Sequence, residues 1–125
     1  MGPNALALLG RVLMSVIFIQ GGINKALAPT ATIEYIHHLN LPLPQLGFFV
    51  AVLVEVLGGL AVLVGFRARW AGVVLAVWCI ATAFAAHYHP GDRNNMIHFM
   101  KNVCMAGGFL QLAAWGAGRF SVDRR

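Results

Sequence analysis

Charged side chains are scarce in this sequence. Only 10% of its 125 residues are charged and only four are acidic, whereas 59% are hydrophobic and the mean hydropathy is +0.74. A soluble domain of ordinary composition carries about a quarter charged residues. This chain has too few to cover a globule with a polar surface, and the outer faces of a soluble four-helix bundle would need them. The shortage therefore indicates a membrane protein.

Three further patterns are missing. The two cysteines, Cys79 and Cys104, lie in separate apolar runs and form no C-x-x-C motif, which excludes a thioredoxin-like redox pair. No segment alternates apolar and polar residues as a transmembrane β-strand does. The nine Lys and Arg residues give a formal charge of +5 but are scattered, without the basic face that phosphate backbones require. We therefore expect no nucleic-acid partner.

Four apolar runs approach the roughly 20 residues needed to cross a bilayer. They cover residues 4–24, 46–66, 70–87 and 95–117. Backbone groups in hydrocarbon need partners within their own segment, so the runs predict four transmembrane helices in one domain, residues 1–125. Thr32 is expected to cap a short interfacial helix that ends near Leu39, ahead of Pro42 and Pro44.

Small residues recur at helical spacing within the runs. In the second run they share nearly one stripe with Glu55: Gly47, Ala51, Gly58 and Gly59. Lipid gives helices no hydrophobic reason to associate, so close approach through small residues holds them together. We expect a compact four-helix bundle, and similar stripes would also allow a homo-oligomer.

Basic residues predict the orientation. Arg67 and Arg69 lie between the second and third runs, and Arg119, Arg124 and Arg125 follow the fourth. The positive-inside rule then places both termini and the 67–69 turn in the cytoplasm, and the connections 25–45 and 88–94 outside. The first run is expected to be a retained helix rather than a signal peptide, because Arg11 interrupts it and no basic residue precedes it.

Ionisable residues inside the runs are candidates for a functional site, because burying them in hydrocarbon is costly. Glu55 lies about 14 Å below the outer end of its run and Lys101 about 10 Å below the start of the last run. We expect Glu55 to pair with Arg11 or with Lys101. Its role is also open: a structural ion pair, or a proton donor and acceptor beside a bound redox molecule. One face of the first run carries Arg11, Ser15, Phe18, Gly22 and Lys25.

The segment NNMIHFMKN, residues 94–102, begins the fourth run with polar side chains. At helical spacing one face carries Asn94, His98, Lys101 and Asn102. These residues could hydrogen-bond a carbonyl-bearing ligand, with Lys101 stabilising an anionic oxygen. Alternatively, Asn94 and Asn95 cap the helix while His98 and Lys101 extend toward the interface. Both interpretations are open.

A metal site is a weaker alternative near the same end. His87, His89, Asp92 and His98 offer nitrogen and oxygen ligands, and neutral imidazole commonly binds zinc or copper. No established ligand spacing such as H-E-x-x-H is present. Interfacial histidines are the preferred interpretation.

Three segments carry a family resemblance: RVLMSVIFIQGGINK (11–25), EVLGGLAVLVGFRAR (55–69) and HFMKN followed by GG (98–108). In this order and spacing the chain resembles the DoxX family of small four-helix bacterial membrane proteins over nearly its whole length. The resemblance implies the bacterial inner membrane and a link to quinone and thiol stress. The family is named for an association with thiosulfate:quinone oxidoreductase, and relatives join membrane complexes with a sulfurtransferase and superoxide dismutase.

From the resemblance and the buried charges we expect a redox-associated subunit that binds or reduces a quinone, or links thiol or sulfur oxidation to the quinone pool. Glu55, Lys101 and His98 would be catalytic, and the ligand would also contact Arg11, Lys25 and Asn102. No cofactor motif is present, so an electron-donor protein or donor molecule is needed. The alternative is a scaffold that anchors soluble redox or detoxification enzymes through the 67–69 turn and the RFSVDRR tail. A metal-handling or small transport protein is less favoured.

Overall fold

The computed structural model describes residues 1–124. All regular secondary structure in that range is helical, with no β-strand, as predicted. Arg125, which contributed to the predicted orientation, lies outside the described residues. The α-helices are α1 (Pro3–Leu27), α2 (Pro29–His38), α3 (Pro44–Val64), α4 (Ala68–Thr82) and α5 (Arg93–Trp115), and a π-helical segment, Ala83–His87, continues α4.

Within residues 1–124, three helices are long and apolar enough to cross a membrane: α1, α3, and α4 with its π-helical continuation. The remaining long helix, α5, has 23 residues and would extend about 34 Å at 1.5 Å per residue. Its length suffices to cross a bilayer, but its first turns carry the polar residues of the 94–102 segment. The bundle is therefore compatible with the four predicted spans.

The long helices pack as two pairs. α1 lies mainly on α3 and α4 mainly on α5, and α3 also contacts α4. Residues from both pairs meet in the core, where the rings of Phe18 and Phe109 make an edge-to-face contact with centroids 5.3 Å apart. The predicted polar stripe of α1 is confirmed as its buried face, formed by Arg11, Ser15, Phe18 and Gly22.

Glycines allow each pair to approach closely. A Cβ atom on Gly22 of α1 would lie 2.5 Å from Val56 Cγ2, and one on Gly72 of α4 would lie 2.7 Å from the carbonyl oxygen of Phe109. Real side chains do not tolerate such distances, so these positions require glycine if the helices are to stay at their present separation. Packing through small residues, expected for helices in lipid, thus holds both pairs.

Arg11 connects three parts of the chain at one end of the bundle. Its guanidinium group is buried and donates hydrogen bonds to the carbonyl oxygens of Val62 (3.2 Å), Leu63 (2.8 Å), Ala117 (3.1 Å) and Phe120. The first two carbonyls belong to the last turn of α3, where a helix leaves acceptors without partners. Arg11 thereby satisfies acceptors that the hydrocarbon could not.

The tail, residues 117–124, folds back over the turn between α3 and α4. The backbone N–H of Val122 donates to the carbonyl of Val64 (2.9 Å), and that of Asp123 donates to Gly65 (3.0 Å). The carboxylate of Asp123 accepts from the N–H groups of Arg67 and Ala68, each at 2.8 Å, and so caps α4. The side chain of Asn4, at the start of α1, accepts a hydrogen bond from the N–H of Arg119. Both ends of the chain and the α3–α4 turn therefore share one end of the bundle.

Two predicted helix starts are wrong. α2 begins at Pro29, and Thr32 lies inside it, donating its hydroxyl to the carbonyl of Ala28 at 2.8 Å. Proline at the first helical position already has the required φ angle, which explains the earlier start. In α5 the cap is Asp92, whose carboxylate accepts from the N–H of Asn95 at 3.3 Å. This backbone hydrogen bond is the main reason that the pKa of Asp92 is lowered.

Candidate functional site

A cavity of about 370 Å³ lies between the two helix pairs, at the end opposite the tail. All five α-helices and the π-helical segment contribute to its wall. Its large apolar and aromatic lining residues include Phe18, Tyr35, Ile36, Leu39, Trp78 and Met105. Its polar lining residues include Lys25, Glu55, Thr82, His87, Lys101 and Asn102. The predicted interfacial helix thus contributes to the cavity wall through Ile36, and the residue that follows it, Leu39, does so as well.

The buried carboxylate of Glu55 pairs with Lys25, with 2.8 Å between Nζ and Oε1. The predicted partners, Arg11 and Lys101, are therefore wrong. α1 and α3 run antiparallel, and Gly21 lies at the level of Glu55: a Cβ there would be 3.1 Å from Oε1. Lys25 is one turn along α1 from Gly21 and reaches back across this gap, whereas Arg11 lies about three turns from Gly21 in the opposite direction.

Asn102 connects α5 to α4 inside the cavity. Its Nδ2 donates to the Thr82 hydroxyl at 3.1 Å, and that hydroxyl donates to the carbonyl of Trp78 at 2.8 Å. Asn102 is buried. This short chain of hydrogen bonds joins the residues of α4 and α5 that line the cavity.

Lys101 gives the cavity an uncompensated positive charge. The only ion pair among residues 1–124 is Lys25–Glu55, so the Lys101 ammonium group, exposed beside the cavity, has no carboxylate of its own. The lining residues thus combine two ammonium groups with one carboxylate. A ligand group that is negative, or becomes negative during a reaction, would be favoured there.

The π-helical segment places His87 on the cavity wall. Such segments add one residue to a helical turn and are frequent at functional sites. Nδ1 of His87 is buried and has no hydrogen-bond partner, the only side-chain atom of which this is true among residues 1–124. A buried polar atom without a partner is costly, and Nδ1 lies beneath the surface that His87 contributes to the cavity. The ring centroids of His98 and His87 lie 5.4 Å apart.

The structure brings most of the predicted site residues together. Lys25, Glu55, Lys101 and Asn102 line the cavity, and His98 is exposed behind His87. Arg11 lies at the other end of the bundle, where carbonyl groups occupy its guanidinium. Sequence reasoning missed Thr82, Trp78 and Tyr35. Thr82 is the only hydroxyl-bearing residue in the third apolar run, and that signal could have identified it.

The weaker metal alternative finds no support in the geometry. Residues 1–124 contain no group of three or more His, Cys, Asp or Glu side chains that could hold a metal ion. His87, His89, Asp92 and His98 therefore do not form a ligand set, and Asp92 instead caps α5. Both cysteines are free: Cys79 is buried against the cavity, and Cys104 is exposed on α5.

Comparison with known proteins identifies the family. The DoxX family model matches residues 6–88, two thirds of the chain and all the helices that precede α5. The chain belongs to the DoxX family. Two Escherichia coli K12 relatives, inner membrane proteins YphA and YqjF, are each 37% identical to it. The alignment with YphA covers 96% of this chain and 89% of YphA, and that with YqjF covers 94% and 88%. No solved structure matches.

The family and the apolar helices together make this DoxX protein a multi-pass inner-membrane protein. The matched segment supplies Lys25, Glu55, Thr82 and His87 to the cavity. Lys101 and Asn102 lie beyond residue 88, within α5, and are covered by the alignments with the two relatives rather than by the family match.

Proposed function

We propose that this DoxX protein is an inner-membrane subunit of a redox system and that it binds a quinone in the cavity between its helix pairs. The observation that carries the proposal is the cavity itself, where apolar walls meet an ion pair, a lysine outside that pair and a buried asparagine. Apolar pockets with a few convergent polar groups are typical of small-molecule sites.

The lining residues fit a quinone. A cavity of about 370 Å³ lies within the usual range of ligand pockets, about 300–1,000 Å³. Phe18, Trp78 and Met105 offer apolar surface to a planar ring, and Lys101, Asn102 and His87 offer polar groups to its carbonyl oxygens. When bound, a quinone would supply an acceptor of two electrons and two protons.

The chain's own groups would bind the ligand, stabilise charge and hold protons. The Lys101 ammonium would stabilise negative charge on a ligand oxygen, where apolar walls exclude water and strengthen the interaction. Glu55 is the buried carboxylate of the cavity and would hold or release a proton, with Lys25 keeping it oriented at 2.8 Å. His98, in contact range of His87 but outside the cavity, would exchange protons with the surrounding water.

Electrons must come from elsewhere, because the chain has neither a cofactor motif nor a cysteine pair. A soluble donor protein, or a thiol or sulfur compound, would supply them. By the positive-inside rule we expect the arginine-rich end, which carries Arg67, Arg69, Arg119 and Arg124, to face the cytoplasm. The cavity would then face the outer side of the membrane, and a donor molecule would reach it from there.

A scaffold for soluble redox enzymes is the second candidate, favoured by one observation. The 67–69 turn and the tail, the expected docking segments, form one continuous surface because Asp123 caps α4. Removing residues 119–125 would therefore also uncap a helix. Charge reversal at the exposed residues Arg119 and Arg124 is a cleaner test of partner binding.

The deciding experiment is binding of a short-chain ubiquinone analogue to the purified protein in lipid nanodiscs, followed by quenching of tryptophan fluorescence. Saturable binding is expected. Glu55→Gln and Lys101→Ala should each weaken the affinity about 10- to 100-fold, which corresponds to the loss of one hydrogen bond to a charged group. Glu34→Gln and Arg93→Ala change exposed residues outside the cavity and serve as matched controls.

Equal affinity in all five proteins, or no saturable binding by any, would contradict the quinone site. If binding is absent and Arg119→Glu with Arg124→Glu releases proteins that the parent retains, the scaffold is supported instead. Once a donor is known, Lys101→Ala should abolish ligand-dependent turnover while the protein still inserts into the membrane.

A further inference from the structure

The arginine-rich end of the bundle contains a second concave site, independent of the quinone cavity. A groove of about 440 Å³ lies between the α3–α4 turn and the tail. Its lining residues are Phe66, Arg67, Arg69, Trp70, Val122 and Asp123. Aromatic and aliphatic side chains here are largely exposed, with Trp70 at 72% and Val122 at 62%. The groove thus combines cationic groups with apolar surface at a level where a helix meets a membrane interface.

The two arginines of the groove keep their charge available. Neither guanidinium is in an ion pair, since Lys25–Glu55 is the only such pair in the described part of the chain. Arg67 lies over the ring of Phe66, 5.8 Å from its centroid, and Arg69 uses one nitrogen to bond the carbonyl of Ala114 at 3.1 Å. A guanidinium has five donors, so most of those on Arg69 stay free for an anion.

Asp123 shapes the groove and lowers its formal charge, which is +1 when Arg67 and Arg69 are counted with it. Both of its carboxylate oxygens accept hydrogen bonds from backbone N–H groups, at 2.8 Å each, and thereby close the N-terminus of α4. Two backbone donors at that helix end, the N–H groups of Arg67 and Ala68, are consequently occupied by the protein's own carboxylate. The arginine side chains are the cationic groups that an external anion would bind in this groove.

We propose that this groove binds the head group of an anionic phospholipid, with Arg67 and Arg69 on the phosphate and Trp70 beside the first part of the acyl chains. Guanidinium groups recognise phosphate through several donors at once, and basic pockets at the cytoplasmic side of helices are typical sites for anionic head groups. The exposed Trp70, Phe66 and Val122 match the apolar part of a lipid, which a free phosphate ion lacks.

The test uses the full chain carrying Trp78→Phe and Trp115→Phe, so that Trp70 is the only one of the three tryptophans left. Quenching of its fluorescence is measured in bilayers that contain either brominated phosphatidylglycerol or brominated phosphatidylcholine. Each arginine near an anionic surface contributes about a fivefold preference. We therefore expect the anionic lipid to be preferred at Trp70 by at least about fivefold, falling toward equality in Arg67→Gln/Arg69→Gln.

The double variant Arg67→Lys/Arg69→Lys keeps the charges and should retain most of the preference, which distinguishes lost binding from lost folding. Arg93→Gln, at the opposite end of the bundle, should change nothing. Equal quenching by the two lipids in the parent, or an unchanged preference in the glutamine variant, would overturn the proposal. So would release of the anionic lipid by inorganic phosphate at constant ionic strength, because the groove would then be a phosphate site.

Discussion

Replacing Arg11 by methionine should destabilise the whole bundle. Methionine keeps a long unbranched side chain but leaves the carbonyl oxygens of Leu63, Ala117 and Phe120 without their donor, whereas Val62 keeps the N–H of Gly65. Each buried acceptor left unpartnered costs about 1 kcal/mol or more. Removing a buried cation that forms no salt bridge within the described residues offsets part of this loss. The expected net cost is about 2–3 kcal/mol.

The assay follows a cysteine that only unfolding exposes. Cys79 is 1% exposed, and Cys104→Ser removes the other thiol, so a thiol-reactive fluorophore then reports on unfolding as the protein is heated. The midpoint should fall on the order of 10 °C in Arg11→Met. The unfolding midpoint of Arg11→Lys should lie between those of the parent and of Arg11→Met. An ammonium group keeps the charge but cannot reach four acceptors in a planar arrangement.

Arg93→Met is the matched control, since Arg93 is exposed and makes no side-chain hydrogen bond within the described part of the chain. Its midpoint should equal that of the parent. If Arg11→Met also unfolds at the parent's temperature, the three carbonyls must find partners elsewhere, and the connecting role assigned to Arg11 is refuted.

Three further predictions use the same assay. Gly22→Ala should lower the free energy of unfolding by about 1–3 kcal/mol, because its Cβ would lie 2.5 Å from Val56 Cγ2. A Cβ on Gly107 meets nothing within 4 Å, so Gly107→Ala should be neutral. Lys25→Met and Glu55→Gln should be coupled by about 1 kcal/mol; strictly additive effects would show that the pair does not contribute. Because hydrogen bonds from Asn95 lower the pKa of Asp92, its cap stabilises fully above the pKa of the unfolded chain and is lost as pH falls through the lower folded value. Asp92→Ala should therefore differ from the parent near neutral pH and converge with it in acid, while a pH-independent difference would argue against this origin.

The helices could be read from the sequence because lipid imposes a simple requirement on each of them. A run of apolar residues between glycine and proline breaks leaves the backbone few alternatives to a helix, and the expected spans agree with the observed helices to within a few residues. The buried face of α1 was also predictable, because its polar members recur at helical spacing. Helix periodicity is a local property and needs no knowledge of neighbours.

The partner of Glu55 could not be predicted, because helical periodicity does not show which helices pack against each other. The depth of Lys101 is similar to that of Glu55 and favours a pair between them, whereas Lys25 follows the first apolar run and begins the predicted outer connection. Lys25 is the partner because α1 packs against α3 and because Gly21 leaves a gap between the two helices. The π-helical segment was equally hidden, since nothing in AFAAH distinguishes it from an ordinary helix end. Sequence reasoning therefore found most of the polar residues of the cavity but not their connections.

The contacts of Arg11 have a consequence for how the chain is made. Two of its four carbonyl partners, those of Ala117 and Phe120, are separated from it by 106 and 109 residues. During synthesis, the first helix enters the bilayer long before these partners exist, so its guanidinium must stay hydrated or pair with lipid phosphate until the last residues emerge. A chain that stops short of residue 117 would leave this buried cation with only the carbonyls of Val62 and Leu63, a costly state in hydrocarbon. Completion of the polypeptide and completion of the fold are thereby linked through one side chain.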